Sequence, residues 1–406
     1  MELPIQFKEM MAGLLGGEAA DFFRAMDKPP VVSVRLNGRK PSDAFAGSRR
    51  VKWCARGYYL DSRPVFTLDP LLHAGAYYVQ DASSMIHYTV ARRIAARLQD
   101  ETGSRSADLR LRVLDMCAAP GGKTTAMIDA LPDGTEIVAN EYVSRRAGIL
   151  RENIAKWGYP DVSVTNCDSA RFARNGDTFD IVAVDAPCSG EGMMRKEPEA
   201  VAQWSPELVE RCASLQREIL ANAAATVAPG GFLIYSTCTF NRHENEENAA
   251  YIRDTLGFEP FDPEFPAEWG IAGGIDTDLP VFRFMPHITE GEGLFLAVFR
   301  RPGNFEPRPA PRRVALPKGK GALRCHDVPP VEDILSVDFD RNAWPVAELD
   351  LDRALAYLRR ESVTVGPEVP KGIVVMAYKG LLLGPAKNIG SRVNNLYPKN
   401  WRILMR

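Results

Sequence analysis

An α/β fold, with a parallel sheet covered on both faces, is what this sequence predicts. Three observations predict it. Strand and helix signals alternate from residue 109 to about 302. A loop of small residues follows the first of those strands and leads straight into a helix. Acids, Glu141 and Asp168, then stand just after the next two strands, at the sheet edge where open α/β folds bind ligands.

A chain of 406 residues calls for two or three modules. Residues 1–105 read as an N-terminal α+β accessory module. Ala19 to Met26 is a helix candidate, and Val31 to Leu36 alternates as a strand does. The run from Gly75 to Ser84 leads into a helix from about Ser84 to Leu98, with Ser83 or Ser84 as its cap. The polar stretch from Glu101 to Asp108 is a connector.

Residues 106–302 form the sheet domain. Strands are expected at Leu111–Met116, Glu136–Asn140, Val162–Asn166, Asp180–Asp185 and Gly231–Ser236. Between them lie helices such as Thr124–Leu131, Ser144–Trp157 and Leu208–Val227. Val281–Phe284 and Gly293–Phe299 are too close for a crossover helix, so they pair as a hairpin and leave one antiparallel strand in the sheet. Residues 303–325 are a proline-rich basic linker with Arg308, Arg312, Arg313, Lys318, Lys320 and Arg324. Residues 326–406 are a separate module. From Lys371 onward it carries basic residues and no acid.

Composition narrows the function. The net charge of -2 means that nucleic acid is met by local basic patches and not by the average. The start MELPIQFKEM has no basic region before an apolar stretch, which argues against a signal peptide. No apolar run has the length of a membrane span. Seven scattered cysteines without a CxxC pair disfavour zinc ribbons and thioredoxin-type sites. Free thiols in a reducing cytoplasm are the expectation.

The loop after the first sheet strand is Cys117-Ala118-Ala119-Pro120-Gly121-Gly122-Lys123. Small residues let the backbone approach a ligand, and the helix N-terminus directs amides at a carboxylate or other anion. The loop matches neither GxxxxGK[ST] nor GxGxxG, which weakens ATP and NAD. A nucleoside ligand remains. Glu141 suits two ribose hydroxyls, and Asp168 suits an adenine amine. Either acid alone would equally serve as a helix cap; in register with the loop they favour the ligand.

Two cysteines stand apart from the rest. Cys188 follows the fourth strand in Asp185-Ala-Pro-Cys188-Ser-Gly-Glu-Gly192, and Cys238 follows the fifth in Ser-Thr-Cys238-Thr-Phe. Both therefore sit at the ligand edge of the sheet. Cys54, Cys167, Cys212 and Cys325 read as inert filler, and Cys117 as a packing residue within the loop.

CAAPGGK, DAPCSGEG and STCTF, in this order and spacing, resemble the Sun/Nop family of RNA cytosine-5 methyltransferases. The resemblance covers the sheet domain and extends upstream to YYVQDASSM. It implies a Rossmann-like S-adenosylmethionine-dependent methyltransferase sheet. It also implies that residues 117–123, Glu141, Asp168 and Asp185 bind S-adenosylmethionine, and that Cys238 is the nucleophile. The chemistry explains the need for a thiol. Cytosine C5 is a poor nucleophile; a thiolate adding at C6 makes the ring an enamine whose C5 attacks the methyl group. Asp185 is expected to assist at N3, and Cys188 to help release the product. Cysteine-dependent methylation of DNA cytosine uses a Pro-Cys thiol, which would point to Cys188; the family resemblance points to Cys238.

Other residues have two readings. Lys123 is either a solvated lysine or a neighbour of cofactor and base. Arg195 and Lys196 are phosphate contacts or a solvated face, and His287 lines the substrate side or supports the hairpin. The segment from Gly380 to Arg402 resembles the small PUA-like barrel that ends RsmF-type small-subunit rRNA methyltransferases. That resemblance implies structured RNA as partner, either 16S rRNA or the 30S particle, met by a monomer. Tyr397 and Trp401 would stack on bases or pack in the core. Competing readings are the same chemistry on tRNA, a non-catalytic RNA-binding assembly factor, and a nicotinamide-dependent oxidoreductase.

Overall fold

The computed structural model describes residues 2–105, 108–308 and 328–405. Cys325 and the linker residues Arg312, Arg313, Lys318, Lys320 and Arg324 lie outside the described residues. Among the described residues, no helix is long and apolar enough to cross a membrane.

Three sheets follow one another along the chain. The first is antiparallel, built from β1 (Val32–Leu36), β2 (Arg49–Arg50), β3 (Gly57–Leu60) and β4 (Tyr77–Val79) in the order β2-β3-β1-β4. The helix Ala19–Met26 precedes it with the expected bounds. Its buried Phe22, Ala25 and Met26 recur at helical spacing. Phe22 and Met26 join Trp204, Phe240 and Met285 of the central domain, so the N-terminal helices brace the sheet edge that carries the cysteines.

The helix expected from Ser84 starts at Ile86 and runs to Thr102, past the expected end at Leu98. Neither serine caps it. Residues Ser83–Met85 form a 3-10 turn, and Ser83 Oγ has no partner among the described residues. The acceptor is Asp81, whose Oδ2 takes the amide of Ser84 at 3.2 Å. A charged carboxylate there is a stronger acceptor than a serine hydroxyl.

The central sheet holds β5 (Arg112–Asp115), β6 (Glu136–Asn140), β7 (Val162–Thr165), β8 (Phe179–Asp185), β9 (Val227–Thr237), β10 (Glu259–Pro260), β11 (Val281–Phe284) and β12 (Leu294–Arg300). Its order is β10-β12-β9-β8-β5-β6-β7, with β11 also paired to β12. Strands β5 to β9 pair in parallel. Strand β12 runs antiparallel to β9, β10 and β11, which makes it the one reversed strand that the short hairpin connection required. Along β8, Ile181 and Ala183 enter one core while Val182 and Val184 enter the other. Burial on both faces is why these strands read as continuous apolar runs. On the second face lies the helix Pro206–Thr226, whose N-cap Ser205 accepts from Leu208 N at 3.2 Å.

The third sheet is β13 (Val346–Leu349), β14 (Gly372–Tyr378), β15 (Leu381–Asn388) and β16 (Val393–Asn395), in that order. Tyr397 is fully buried, with its ring centroid 5.4 Å from that of Tyr357 and 6.2 Å from that of Trp401. Both candidate stacking aromatics are thus core residues, because the short sheet has few other large side chains to fill its interior. Lys379, Lys387, Arg392, Lys399 and Arg402 remain exposed.

The three modules meet around Gly75. A Cβ there would lie 1.7 Å from the carbonyl oxygen of Lys156, so only glycine fits. Lys40 Nζ donates to Ala74 O at 2.9 Å and to Lys156 O at 2.6 Å. Asn37 Nδ2 donates to Gly75 O and Trp157 O, both at 2.9 Å. From the C-terminal side, Val337 N donates to Gly158 O at 2.9 Å.

Candidate active site

Strand β5 ends at Asp115, and the loop Cys117–Lys123 turns directly into the helix Gly122–Ala130. Its carbonyls are held from outside. Arg146 donates to Ala119 O at 2.8 Å, and Asn153 to Pro120 O at 2.8 Å. Tyr78 Oη of β4 donates to the same Pro120 O at 3.1 Å. Strand β4 comes so close that a Cβ on Gly122 would lie 3.3 Å from the Tyr78 ring and 3.4 Å from Gln80 Nε2. The second glycine of the loop is therefore a consequence of the N-terminal module.

Two cavities adjoin at Cys117. The larger, about 430 Å³, is lined by Glu141, Tyr142, Val143, Asp168, Pro187 and Ile219 among others. The smaller, about 160 Å³, lies over Ala118–Gly122 and reaches Lys123, Asp115 and Asp185. Burial pushes the Cys117 thiol up, which leaves it neutral and consistent with packing.

Glu141 is buried, with Oε1 accepting from Val143 N at 2.7 Å and Oε2 lying 3.2 Å from Arg146 Nη1. Asp168 is exposed and accepts from Ala170 N at 2.8 Å. Both acids thus brace their own turns and line the larger cavity as well. A carboxylate beside apolar walls suits a nucleoside: ribose hydroxyls at Glu141, a flat base between Val143, Pro187 and Ile219.

The two thiols meet. Cys188 Sγ and Cys238 Sγ are 3.2 Å apart and unbonded. Beside them Lys123 Nζ lies 2.6 Å from Asp185 Oδ2, and Ser236 Oγ donates to Asp185 Oδ1 at 2.9 Å. The hydrogen bond to Cys238, then burial, then the negative charge around it hold the Cys188 thiol well above its ordinary range. Burial pulls the Lys123 ammonium down, but Asp185 and the two sulfurs outweigh it and leave it raised, with Cys238 acting more strongly than Cys188. The lysine is therefore a half-buried, ion-paired cation facing the thiol pair and not a freely solvated one.

Two buried carboxylates that sequence reasoning did not single out hold the loops together. Glu191, from the Cys188 loop, accepts from Asn241 N at 3.0 Å, from Asn241 Nδ2 at 2.9 Å and from Phe240 N at 2.5 Å. Glu244, beyond the Cys238 loop, accepts from Ser189 N at 2.9 Å and from Ser189 Oγ. Each loop's acid thus grips the other loop. Their only sequence signal was position, one inside DAPCSGEG and the other just after STCTF.

Three other expectations need correction or placement. Arg195 is neither a phosphate contact nor solvated: its side chain is 4% exposed and pairs with the equally buried Glu292 at 2.8 Å. It also donates to Ala25 O at 3.1 Å. A guanidinium in place of a lysine ammonium fits this buried, multiply bonded position. Lys196 stays half-buried, 3.7 Å from the same Glu292. His287 lies 3.1 Å from Glu18 and edge-on to Phe22, contacts that fit the supporting reading of that residue.

Comparison with known proteins places three family models along the chain. The model described as 16S rRNA methyltransferase RsmB/F matches residues 107–300. The N-terminal domain of 16S rRNA methyltransferase RsmF matches 3–82, and the methyltransferase RsmF PUA domain matches 345–403. A ribosomal RNA small subunit methyltransferase F from Cronobacter sakazakii is 36% identical over 76% of this chain, which spans 65% of that protein. One from an Enterobacter species is 30% identical over 98% of this chain and 95% of its own length. Among solved structures, a methyltransferase homologue from Pyrococcus horikoshii is 25% identical with a TM-score of 0.60, over 73% of this chain and 94% of the other.

Proposed function

This chain belongs to the 16S rRNA methyltransferase RsmB/F family, and from that premise we propose that it methylates cytosine C5 in RNA, with small-subunit rRNA as substrate. One observation carries the chemistry: two free thiols 3.2 Å apart, beside a half-buried lysine–aspartate pair and next to a cavity lined by Glu141 and Asp168.

The residues present fit S-adenosylmethionine. Glu141 would hold the ribose hydroxyls and Asp168 the adenine edge, while Ala118–Gly122 would bed the amino-acid end. Bound there, S-adenosylmethionine supplies an electrophilic methyl group.

Cys238 is the nucleophile in this reading. Burial and its neighbour keep the Cys188 thiol protonated, so its S–H can donate across the 3.2 Å gap to the Cys238 sulfur. Lys123 faces the pair as a cation, where it can offset negative charge that develops as the Cys238 sulfur attacks. Its sulfur adds to C6 of the cytosine. Asp185, fixed by Lys123 and Ser236, meets the N3–N4 edge, and the lysine charge offsets the negative charge entering the ring. Once C5 carries the methyl group it loses its proton and the sulfur leaves; Cys188 is placed to assist that elimination.

The target base must leave its stack to reach the sulfur. The exposed basic residues of the C-terminal module supply phosphate contacts to offset that cost. The reducing cytoplasm keeps both thiols free, and the assembled 30S particle is the partner offered to a monomer. Bisulfite mapping of 16S rRNA, 30S particles and tRNA, each incubated with the protein and S-adenosylmethionine, tests the reading. New protection at a discrete cytosine supports it; protection only in tRNA, or none, overturns it.

A further inference from the structure

Gln80 is more than 90% buried and sits between the N-terminal sheet and the glycine-rich loop, in a position that none of the chemistry above uses. Arg35, which is fully buried, donates its Nε to Gln80 Oε1 at 2.8 Å. A guanidinium has donors only, so the amide oxygen must face Arg35 and the NH₂ must face the other way. That NH₂ has no partner among the described residues and points at Gly122, into the 160 Å³ cavity.

The lining of the same cavity carries the complementary acceptor. Asp115 is buried, Oδ2 accepts from Thr124 Oγ1 at 2.6 Å, and Oδ1 has no side-chain partner among the described residues, with the Cys117 amide alone nearby. Buried polar groups are rarely left unpaired in a native protein, and each such group costs stability unless something satisfies it. Here a donor and an acceptor line one small cavity over a helix N-terminus. That set matches an α-amino acid, with its carboxylate toward the amide and its ammonium toward the acid.

Arg35 makes the arrangement firm. Besides Gln80 it donates to Thr125 O at 3.2 Å, to Gly122 O at 3.3 Å and to Thr125 Oγ1 at 2.5 Å, and it pairs with buried Asp129 at 2.5 Å. One side chain therefore fixes both the amide and the turn of helix that faces it.

We propose that Gln80, oriented by Arg35, is a cofactor-binding residue that donates to the carboxylate of S-adenosylmethionine, so that the N-terminal module completes the methyl-donor site. This rests on the cofactor reading given above. It means that strand β4 and its continuation are part of the ligand site and not only a support for RNA.

Isothermal titration of the full chain tests it with three ligands: S-adenosylmethionine, its decarboxylated analogue, and 5′-methylthioadenosine, which lacks the amino-acid end. Gln80→Ala is expected to bind S-adenosylmethionine about ten-fold or more weakly, the effect of removing a hydrogen bond to a charged group. It should bind 5′-methylthioadenosine as the wild type does, and should distinguish S-adenosylmethionine from the decarboxylated analogue less than the wild type does. Gln80→Glu keeps a partner for Arg35 and so keeps the strand in place; it should lose S-adenosylmethionine more severely, through like charge. Equal affinity of wild type and Gln80→Ala for S-adenosylmethionine overturns the proposal, as does equal weakening of all three ligands. Wild-type protein that binds none of the three overturns the cofactor reading itself, and this proposal with it.

Discussion

The sulfurs of Cys188 and Cys238 stand 3.2 Å apart across 50 residues of chain. Neither loop alone could set that distance. Strands β8 and β9 are neighbours, with Asp185 in register with Ser236, and this brings the loop roots together. Glu191 and Glu244 then tie each loop to the other.

Unequal roles for the thiols give opposite mutant behaviour. Cys238→Ala should abolish the covalent RNA adduct and lower turnover by about 10³-fold or more, as loss of a nucleophile does. Cys188→Ala should accumulate the adduct, visible as a slow band on a denaturing gel. The reverse pattern would exchange the two assignments.

Removing the Glu191 carboxylate should loosen the pair. Glu191→Ala leaves the backbone amides of Phe240 and Asn241 and the Trp204 indole N–H without their acceptor, in a fully buried place. A stability loss of about 2–4 kcal/mol in urea unfolding is expected. A disulfide-forming probe should also report a wider, more variable spacing of the two sulfurs. Unchanged stability would deny the clamp its role.

Asp115 makes stability depend on pH. Burial pushes its carboxyl up to about 7, against an ordinary value of 3.8. Between those values the folded protein holds a proton that the unfolded chain has released. Stability contributed by this group is therefore full below about 4 and is lost as pH rises through about 7. Asp115→Asn should remove that part of the slope, so the gap between variant and wild type should change across pH 4 to 7 in denaturant titrations. Parallel curves would contradict it.

Arg195→Ala separates support from RNA contact. The substitution removes the nearest cation from the buried Glu292 carboxylate and leaves it Val31 N and Lys196 at 3.7 Å, at a cost of about 2–3 kcal/mol. The salt dependence of RNA binding should stay as it is in the wild type. A reduced salt slope would return Arg195 to the phosphate-binding surface.

Neutralising Lys387 and Lys399 together, to Gln, tests the C-terminal surface. Both are exposed. RNA affinity should fall, and the slope of log affinity against log salt should shrink by about one for each phosphate that a lysine no longer neutralises. No change in slope would place the RNA elsewhere.

The sheet domain was legible because its signals are local. A strand, a loop of small residues and an acid at the next strand end are contiguous in sequence, so Glu141, Asp168 and the two cysteines could be placed by counting strands. Ser144–Trp157 and Glu136–Asn140 appear with the expected bounds for the same reason. What was not legible depends on partners distant in sequence. Arg195 reads as a surface charge until Glu292 closes over it, 97 residues later. Glu191 and Glu244 are ordinary acids until the loops cross. Tyr397 and Trp401 look like a base-stacking surface until the small third core is seen to need them. Ser83 and Ser84 are good caps by residue type, but Asp81 supplies a charged acceptor at that turn.

The knot around Gly75 bears on how such a protein can be rebuilt. Its carbonyl and that of Trp157 share one asparagine, and the Lys40 amine spans Ala74 and Lys156. The first 82 residues are therefore a poor cassette for exchange between relatives. A transplanted N-terminal segment would have to bring the asparagine, the lysine and the glycine, and find the host's helix ending at the same height. Chimeras cut at this seam should fail as folds before they can reveal anything about RNA choice. Exchanging the N-terminal module and the sheet domain as one piece keeps all four of those bonds within a single parent, and is the better way to graft.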